Sequence, residues 1–136
     1  MSDVEVRRFL AAGTRTGKLA TVRPDGSPHV VPIWFVVDDA EPPWSIVFNT
    51  GRDTVKGRAL RTDPRVSICV DDDAPPFAYV RVDGFAVISE DVDAMLPWST
   101  RIAARYMGHD EADAYGRRNA VDGELLVGWS QPGSSP

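Results

Sequence analysis

The chain has 136 residues, 43% hydrophobic and 26% charged, the proportions of one ordinary globular domain. A domain of that size buries roughly 68% of its unfolded surface, so neither disulfides nor a structural metal is needed. Fifteen basic residues against 20 acidic ones give a net charge of −5, the wrong sign for a generic nucleic-acid binder. The longest nearly apolar run, Val30 to Val37, is far too short to span a membrane. Acids and arginines occupy the N-terminus in place of an apolar export signal, and there is a single cysteine, Cys69. Both features predict a cytoplasmic protein.

Ser2-Asp3-Val4-Glu5 has the form of a capping box and predicts a first helix over Val4–Ala12. Lys18–Arg23 and His29–Val37, joined by Pro24-Asp25-Gly26-Ser27-Pro28, predict a β-hairpin. A third strand follows at Trp44–Thr50, then a short helix over Thr54–Arg61 with Asp53 or Thr54 as its N-cap. Asp63-Pro64 ends that helix. Val66–Val70 is a strand, and Phe77–Ser89 a longer one with Gly84 as a bulge. Helices are predicted over Val92–Met107 and Asp110–Arg118, and a last strand over Glu124–Trp129. Six strands joined largely by hairpins predict a mainly β protein, a small barrel with peripheral helices. One domain is expected over residues 1–129, followed by a flexible tail over 130–136.

Charge is unevenly placed. Between Gly51 and Arg65, five basic residues (Arg52, Lys56, Arg58, Arg61, Arg65) face two acids (Asp53, Asp63). A compact basic island at a strand–turn–helix junction suits a small anionic ligand better than a polyanion. A surface helix with solvated bases is the plain alternative. No Walker loop is present. His29 and His109 stand apart from any matched carboxylate or cysteine spacing, so no metal site is expected. Asp71-Asp72-Asp73 lacks calcium-loop spacing, and Ser27 and Ser67 have no nucleophile elbow. Aromatic residues crowd the predicted strands: Trp34, Phe35, Trp44, Phe48, Phe77, Tyr79 and Phe85. Most belong to a core, and some would wall a flat heteroaromatic ligand.

The segment Gly17–Phe35, GKLATVRPDGSPHVVPIWF, resembles the opening hairpin of the pyridoxamine-phosphate-oxidase-like split β-barrel superfamily. Phe48-Asn-Thr, Lys56 and Leu60-Arg-Thr-Asp-Pro-Arg-Val66 resemble its phosphate-binding strand–helix–strand, and Tyr79–Gly84 its next long strand. Thr100–Gly108, Arg118-Asn119 and Gly123–Val127 are similar to the actinobacterial F420-dependent branch, the flavin/deazaflavin oxidoreductases. Beyond Val127 the chain runs Gly128–Pro136, where relatives usually continue further.

The resemblance implies a six-stranded, FMN-binding-like split barrel that forms a homodimer with cofactor sites shared between subunits. It implies coenzyme F420 as cofactor, with FMN as the alternative, and hydride delivery to an unsaturated small molecule. An FMN-dependent oxidase or reductase, or a non-catalytic flavin, deazaflavin or pigment carrier, would fit the same fold. Lys56 is the implied phosphate ligand, with Asn49, Thr50 and Arg58 near the phosphate and ribityl chain. Val31, Pro32, Ile33 and Trp34 flank the ring, and Phe77 and Tyr79 approach it, from the neighbouring subunit if not from their own. Water, Tyr79 or an arginine-bound water would donate the proton. Arg52, Arg61, Arg101 and Arg105 are the expected contacts of an oligoglutamate tail, the alternative being that Arg101 and Arg105 pair with nearby acids.

Overall fold

A computed structural model describes residues 1–131; the expected tail lies outside them beyond that point. Helix α1 (Asp3–Ala11) starts at the predicted capping box: the Glu5 N–H donates to Ser2 Oγ at 3.2 Å, and the Ser2 N–H to Glu5 Oε1 at 3.1 Å. The first hairpin follows as β1 (Gly17–Val22) and β2 (Pro28–Ile33), with Gly17 opposite Ile33 and Val22 opposite Pro28. Then come β3 (Val36–Asp38), β4 (Ser45–Gly51), α2 (Val55–Thr62), β5 (Arg65–Asp71), β6 (Tyr79–Phe85) and β7 (Val87–Ser89). Helices α3 (Val92–Met107) and α4 (His109–Asn119) and strand β8 (Glu124–Trp129) complete the order. Among the described residues no helix is long and apolar enough to cross a membrane.

The described residues form eight strands in two antiparallel four-stranded sheets, ordered β2-β1-β5-β6 and β3-β4-β8-β7, not the six strands of one closed barrel. The difference has a specific cause. Two of the six predicted strands bend, His29–Val37 at Trp34-Phe35 and Phe77–Ser89 at Ala86, and each half joins a different sheet. Each edge strand of the first sheet therefore runs on, through a corner, into an edge strand of the second. Gly84 is no bulge: β5 and β6 stay in register from Arg65–Phe85 to Asp71–Tyr79. Its missing side chain makes room, since a Cβ would lie 2.7 Å from both Ser130 O and Trp129 Cδ1. Phe77 precedes β6, in a loop with φ of 59°.

The core lies between the sheets, where Leu19, Phe35, Ile46, Phe48, Ile68, Val82, Leu125 and Val127 are fully buried. Trp129 pins the layers together. Its indole meets Phe48 edge-on at 6.0 Å and donates from Nε1 to the Val82 carbonyl at 3.2 Å. Strand β4 buries three consecutive residues, Ile46, Val47 and Phe48, because both its faces are covered. Phe48 and Ile46 enter the core; Val47 joins Val36 and Ile102 in a second cluster under α3.

Arg105 fastens α3 to the rest of the molecule. Its guanidinium donates to the carbonyls of Phe35 and Leu10, each at 2.7 Å, and of Gly13 at 3.0 Å. Burial lowers its pKa, and the backbone carbonyls supply the acceptors that the nearby acids do not.

Candidate functional site

A cleft of about 370 Å³ opens where the end of β2, the start of α2 and the α3–α4 hairpin meet. That volume falls in the usual range for small-molecule sites. Pro32, Ile33 and Trp34 come from the β2 end, Asn49 from β4, Lys56 from α2 and Glu124 from β8. A larger groove of about 540 Å³ on the outer face of the second sheet is lined by Val47, Phe85, Val87 and Trp98. Its lining holds one charged residue, Asp38, and no cation, so it does not suit an anion.

The strand–turn–helix that presents Lys56 is tightly built. Thr54 caps α2, accepting from the Gly57 N–H at 3.1 Å and donating to the Gly51 carbonyl at 2.8 Å. A Cβ on Gly57 would overlap the Gly51 carbonyl oxygen, so the helix and the turn touch backbone to backbone. Lys56 is consequently held half-buried, with its pKa lowered by burial and partly restored by the Glu124 charge. Its ammonium has no hydrogen-bond or ion-pair partner among the described residues. That is unusual for a half-buried lysine and leaves three donors for a ligand.

Glu124 was not singled out from sequence. Burial raises its pKa above the ordinary carboxylate value, and Lys56 partly counters the shift. Asn49 orients it: Nδ2 donates to Glu124 Oε1 at 3.3 Å and to the Asn119 carbonyl at 3.2 Å. Both amide hydrogens of Asn49 are thereby engaged, so what remains for a ligand is its acceptor oxygen. Asn49 is suited to a hydroxyl rather than a phosphate.

The aromatic wall is Trp34, 37% exposed and stacked on Tyr106 with centroids 5.0 Å apart and planes 4° apart. Tyr115 leans on it at 6.0 Å. Tyr106 is fixed in turn, accepting from the Phe35 N–H at 3.3 Å and donating to the Arg15 carbonyl at 2.9 Å. Burial raises its pKa, keeping the donating proton in place. The indole is therefore set before any ligand arrives.

Of the residues expected at a cofactor, the cleft gathers Pro32, Ile33, Trp34, Asn49 and Lys56. Val31 alternates with its neighbours on β2 and packs against the core. Thr50 is 5% exposed, its hydroxyl 3.2 Å from that of Thr54. Arg58 is exposed and outside the cleft lining: two residues past Lys56, it stands about 200° around the helix axis. Phe77 and Tyr79, 65% and 67% exposed, lie at the β6 edge of the first sheet, across β1 and β5 from β2.

The expected tail arginines also have partners within the chain. Arg52 meets Glu90 at 3.2 Å, Arg61 meets Asp53 at 3.9 Å, and Arg101 lies over the Trp98 ring at 4.5 Å. Arg105 is the carbonyl clamp. Arg65 of the basic island pairs with Asp63 at 2.7 Å, which leaves Lys56 as the cation of the cleft.

Sequence reasoning overlooked Thr16, Ser99, Ile102, Tyr115 and Asn119 as cleft-lining residues. The spacing of Tyr115 and Asn119, four apart on one helix, puts them on one face and was the readable signal.

Comparisons place this geometry among known proteins. The family described as Pyridoxamine 5'-phosphate oxidase matches residues 2–126. No curated protein matches significantly in sequence. Among solved structures, the conserved hypothetical protein Rv2991 from Mycobacterium tuberculosis is similar at 31% identity, with a TM-score of 0.82, over 97% of this chain and 81% of that one. A protein named F420 Reductase is similar at 27% identity and a TM-score of 0.69, over 90% of each chain. HutZ from Vibrio cholerae, named a heme storage protein, shares the fold at 20% identity and a TM-score of 0.69, over 98% of this chain and 91% of that one. By the family match over most of its length, the chain belongs to the pyridoxamine 5'-phosphate oxidase family.

Proposed function

We propose that the protein is an oxidoreductase that uses reduced coenzyme F420 to deliver hydride to an unsaturated small molecule. The observation that carries this reading is Lys56, a half-buried ammonium with no hydrogen-bond or ion-pair partner among the described residues, beside a fixed indole in one cleft. An anionic chain on a flat ring needs both. The F420 reductase likeness, spanning 90% of both chains, favours the deazaflavin.

When bound, a deazaflavin supplies two-electron hydride chemistry, which asks the protein for orientation more than covalent catalysis. Lys56 would hold the phosphate, and the acceptors Asn49 and Glu124 would meet chain hydroxyls. Pro32, Ile33 and Trp34 would exclude water from one side of the ring. Tyr79 would reach the cleft only from a second copy of the chain, so a proton from Tyr79 presupposes the dimer.

FMN is the second reading. Lys56 is the one cation among the described residues lining the cleft, and a single phosphate would satisfy it. For a heme carrier, the described residues that line the cleft of one chain include no His, Cys or Met, so an iron ligand would have to come from a second copy. Titration of the purified protein with F420, FMN and heme, followed by turnover screening with the reduced form of the tightest binder, tests the reading. Tighter binding of FMN or heme than of F420 would replace it.

A further inference from the structure

Ser99 lies on α3, is 1% exposed, and lines the cleft. Its Oγ has no hydrogen-bond partner among the described residues. A buried hydroxyl left unpaired forfeits its hydration without replacement, so native structures rarely keep one. Alanine would fit a helix better at this position. The hydroxyl therefore has an unmet demand, and the cleft is the open space that its residue borders.

The same wall carries two more polar groups, both half-buried. Tyr115 and Asn119, one turn apart on α4, line the cleft, and neither the phenol nor the side-chain amide has a hydrogen-bond partner among the described residues. The placement of the wall is fixed by Gly116. A Cβ there would overlap the Thr100 hydroxyl and come within 2.9 Å of Thr100 Cα. The two helices thus touch backbone to backbone beside Ser99, which sets the spacing of the wall.

We infer that Ser99 is a ligand-contacting residue whose hydroxyl donates to a ring carbonyl of the bound cofactor, with Tyr115 and Asn119 completing a polar wall on the α3–α4 hairpin. The inference rests on the cleft being the cofactor site. It assigns the two ends of the ligand to different parts of the chain: Lys56 on α2 reads the phosphate, and the hairpin reads the polar edge of the heterocycle. A hydroxyl there favours a dione-bearing ring, flavin or deazaflavin, over an apolar macrocycle.

The test compares Ser99→Ala and Lys56→Ala with wild type in binding titrations. The probes are the phosphorylated cofactor and its phosphate-free ring–polyol fragment, each without substrate. Ser99→Ala should weaken both probes by about three- to tenfold, one neutral hydrogen bond. It should also shift the visible absorption of the bound ring. Its melting temperature without ligand should equal or exceed that of wild type, because an unpaired hydroxyl has been removed. Lys56→Ala should weaken only the phosphorylated probe. Unchanged ring affinity and spectrum in a folded Ser99→Ala overturn the inference while a Lys56→Ala defect leaves the cofactor reading standing. If Lys56→Ala also binds normally, the reading itself fails.

Discussion

Lys56 and Glu124 line one cleft without forming an ion pair, and burial shifts the two in opposite directions. The carboxyl of Glu124 is held above 4.5, so it binds a proton more tightly in the folded chain than in the unfolded one. Its stabilising contribution is complete below pH 4.5 and is lost as pH rises through the elevated value. Lys56 is held below 10.5. Its penalty is complete below the lowered value and is relieved as pH rises toward 10.5. Between those windows the ligand-free protein bears both penalties, as expected of a site prepared for a ligand.

Glu124→Gln isolates one half of that relationship. The amide oxygen still accepts from Asn49, so the geometry is kept while the titration disappears. The variant should be more stable than wild type at neutral pH, and the difference should vanish as pH falls below 4.5. Thermal melts across pH measure it. A difference that does not change with pH would show that Glu124 is not the titrating group.

Lys56→Ala should weaken the phosphorylated cofactor by about 1.5–3 kcal/mol, the range for a hydrogen bond to a charged group. Isothermal titration at low salt reads the loss directly. Arg58→Ala, on the other side of α2, should bind nearly as wild type does. Equal losses from both would mean that the island acts as a diffuse field and not through one contact.

Much of the fold was legible because local chemistry decides it. The Ser2–Glu5 box and the 3.6-residue periodicity of Val92–Met107 give the elements with little shift, and Glu124–Trp129 is unchanged. The corners at Trp34-Phe35 and Ala86 were not legible. The residues on both sides remain β-formers, and only tertiary packing decides which sheet each half joins. The cleft was half legible for a related reason. Lys56 and Trp34 belong to contiguous motifs, whereas Ser99, Tyr115 and Asn119 come from a helical hairpin whose polar side reads like solvent surface. Arg105 misleads in the opposite way. Its acceptors are main-chain carbonyls, and carbonyls leave no mark in a sequence.

Gly57→Ala probes the turn that presents the lysine. Its methyl would collide with the Gly51 carbonyl, which is backbone and cannot swing aside. Overpacking of this kind costs about 1–3 kcal/mol. The variant should melt lower than wild type and bind phosphorylated cofactor more weakly, since relief of the clash moves Lys56. Gly128→Ala, where φ is ordinary and a Cβ would meet nothing closer than 3.4 Å, separates loss of glycine from collision. An unaltered melting temperature for Gly57→Ala would show that α2 can shift freely.

Assembly is tested at Trp34 and at the opposite sheet edge. Val30 on β2, Phe77 just before β6, and Tyr79, Phe85 and Val87 along the β6–β7 run are large apolar side chains each more than 60% exposed. A dimer would sediment at twice the 14.9 kDa chain mass. Trp34→Arg should abolish cofactor binding, by removing the indole wall and placing a charge against Tyr106, and should dissociate the dimer. Tyr79→Ala should weaken binding only if a second chain completes the cleft. A monomer with full cofactor affinity would rule out shared sites.

The last prediction distinguishes deazaflavin from flavin by tail and salt. Coenzyme F420 carries a phosphodiester and glutamate carboxylates, whereas FMN ends in one phosphate. Arg52 and Arg61 adjoin the start of α2, yet each is already paired, with Glu90 and Asp53. A tail must compete with those acids. Exposed pairs contribute only about 0.2–1 kcal/mol each and are screened over about 8 Å at physiological ionic strength. Lengthening the tail should therefore tighten binding several-fold at most, and the gain should disappear at high salt. Glu90→Gln frees Arg52 and should enlarge the gain at low salt. Long-tailed, short-tailed and tail-less deazaflavin and FMN would be compared at two salt concentrations. Equal affinity of all deazaflavins, with Glu90→Gln without effect, would leave Lys56 and the ring wall as the whole of recognition. Tighter binding of FMN than of every deazaflavin would make this protein a flavin enzyme.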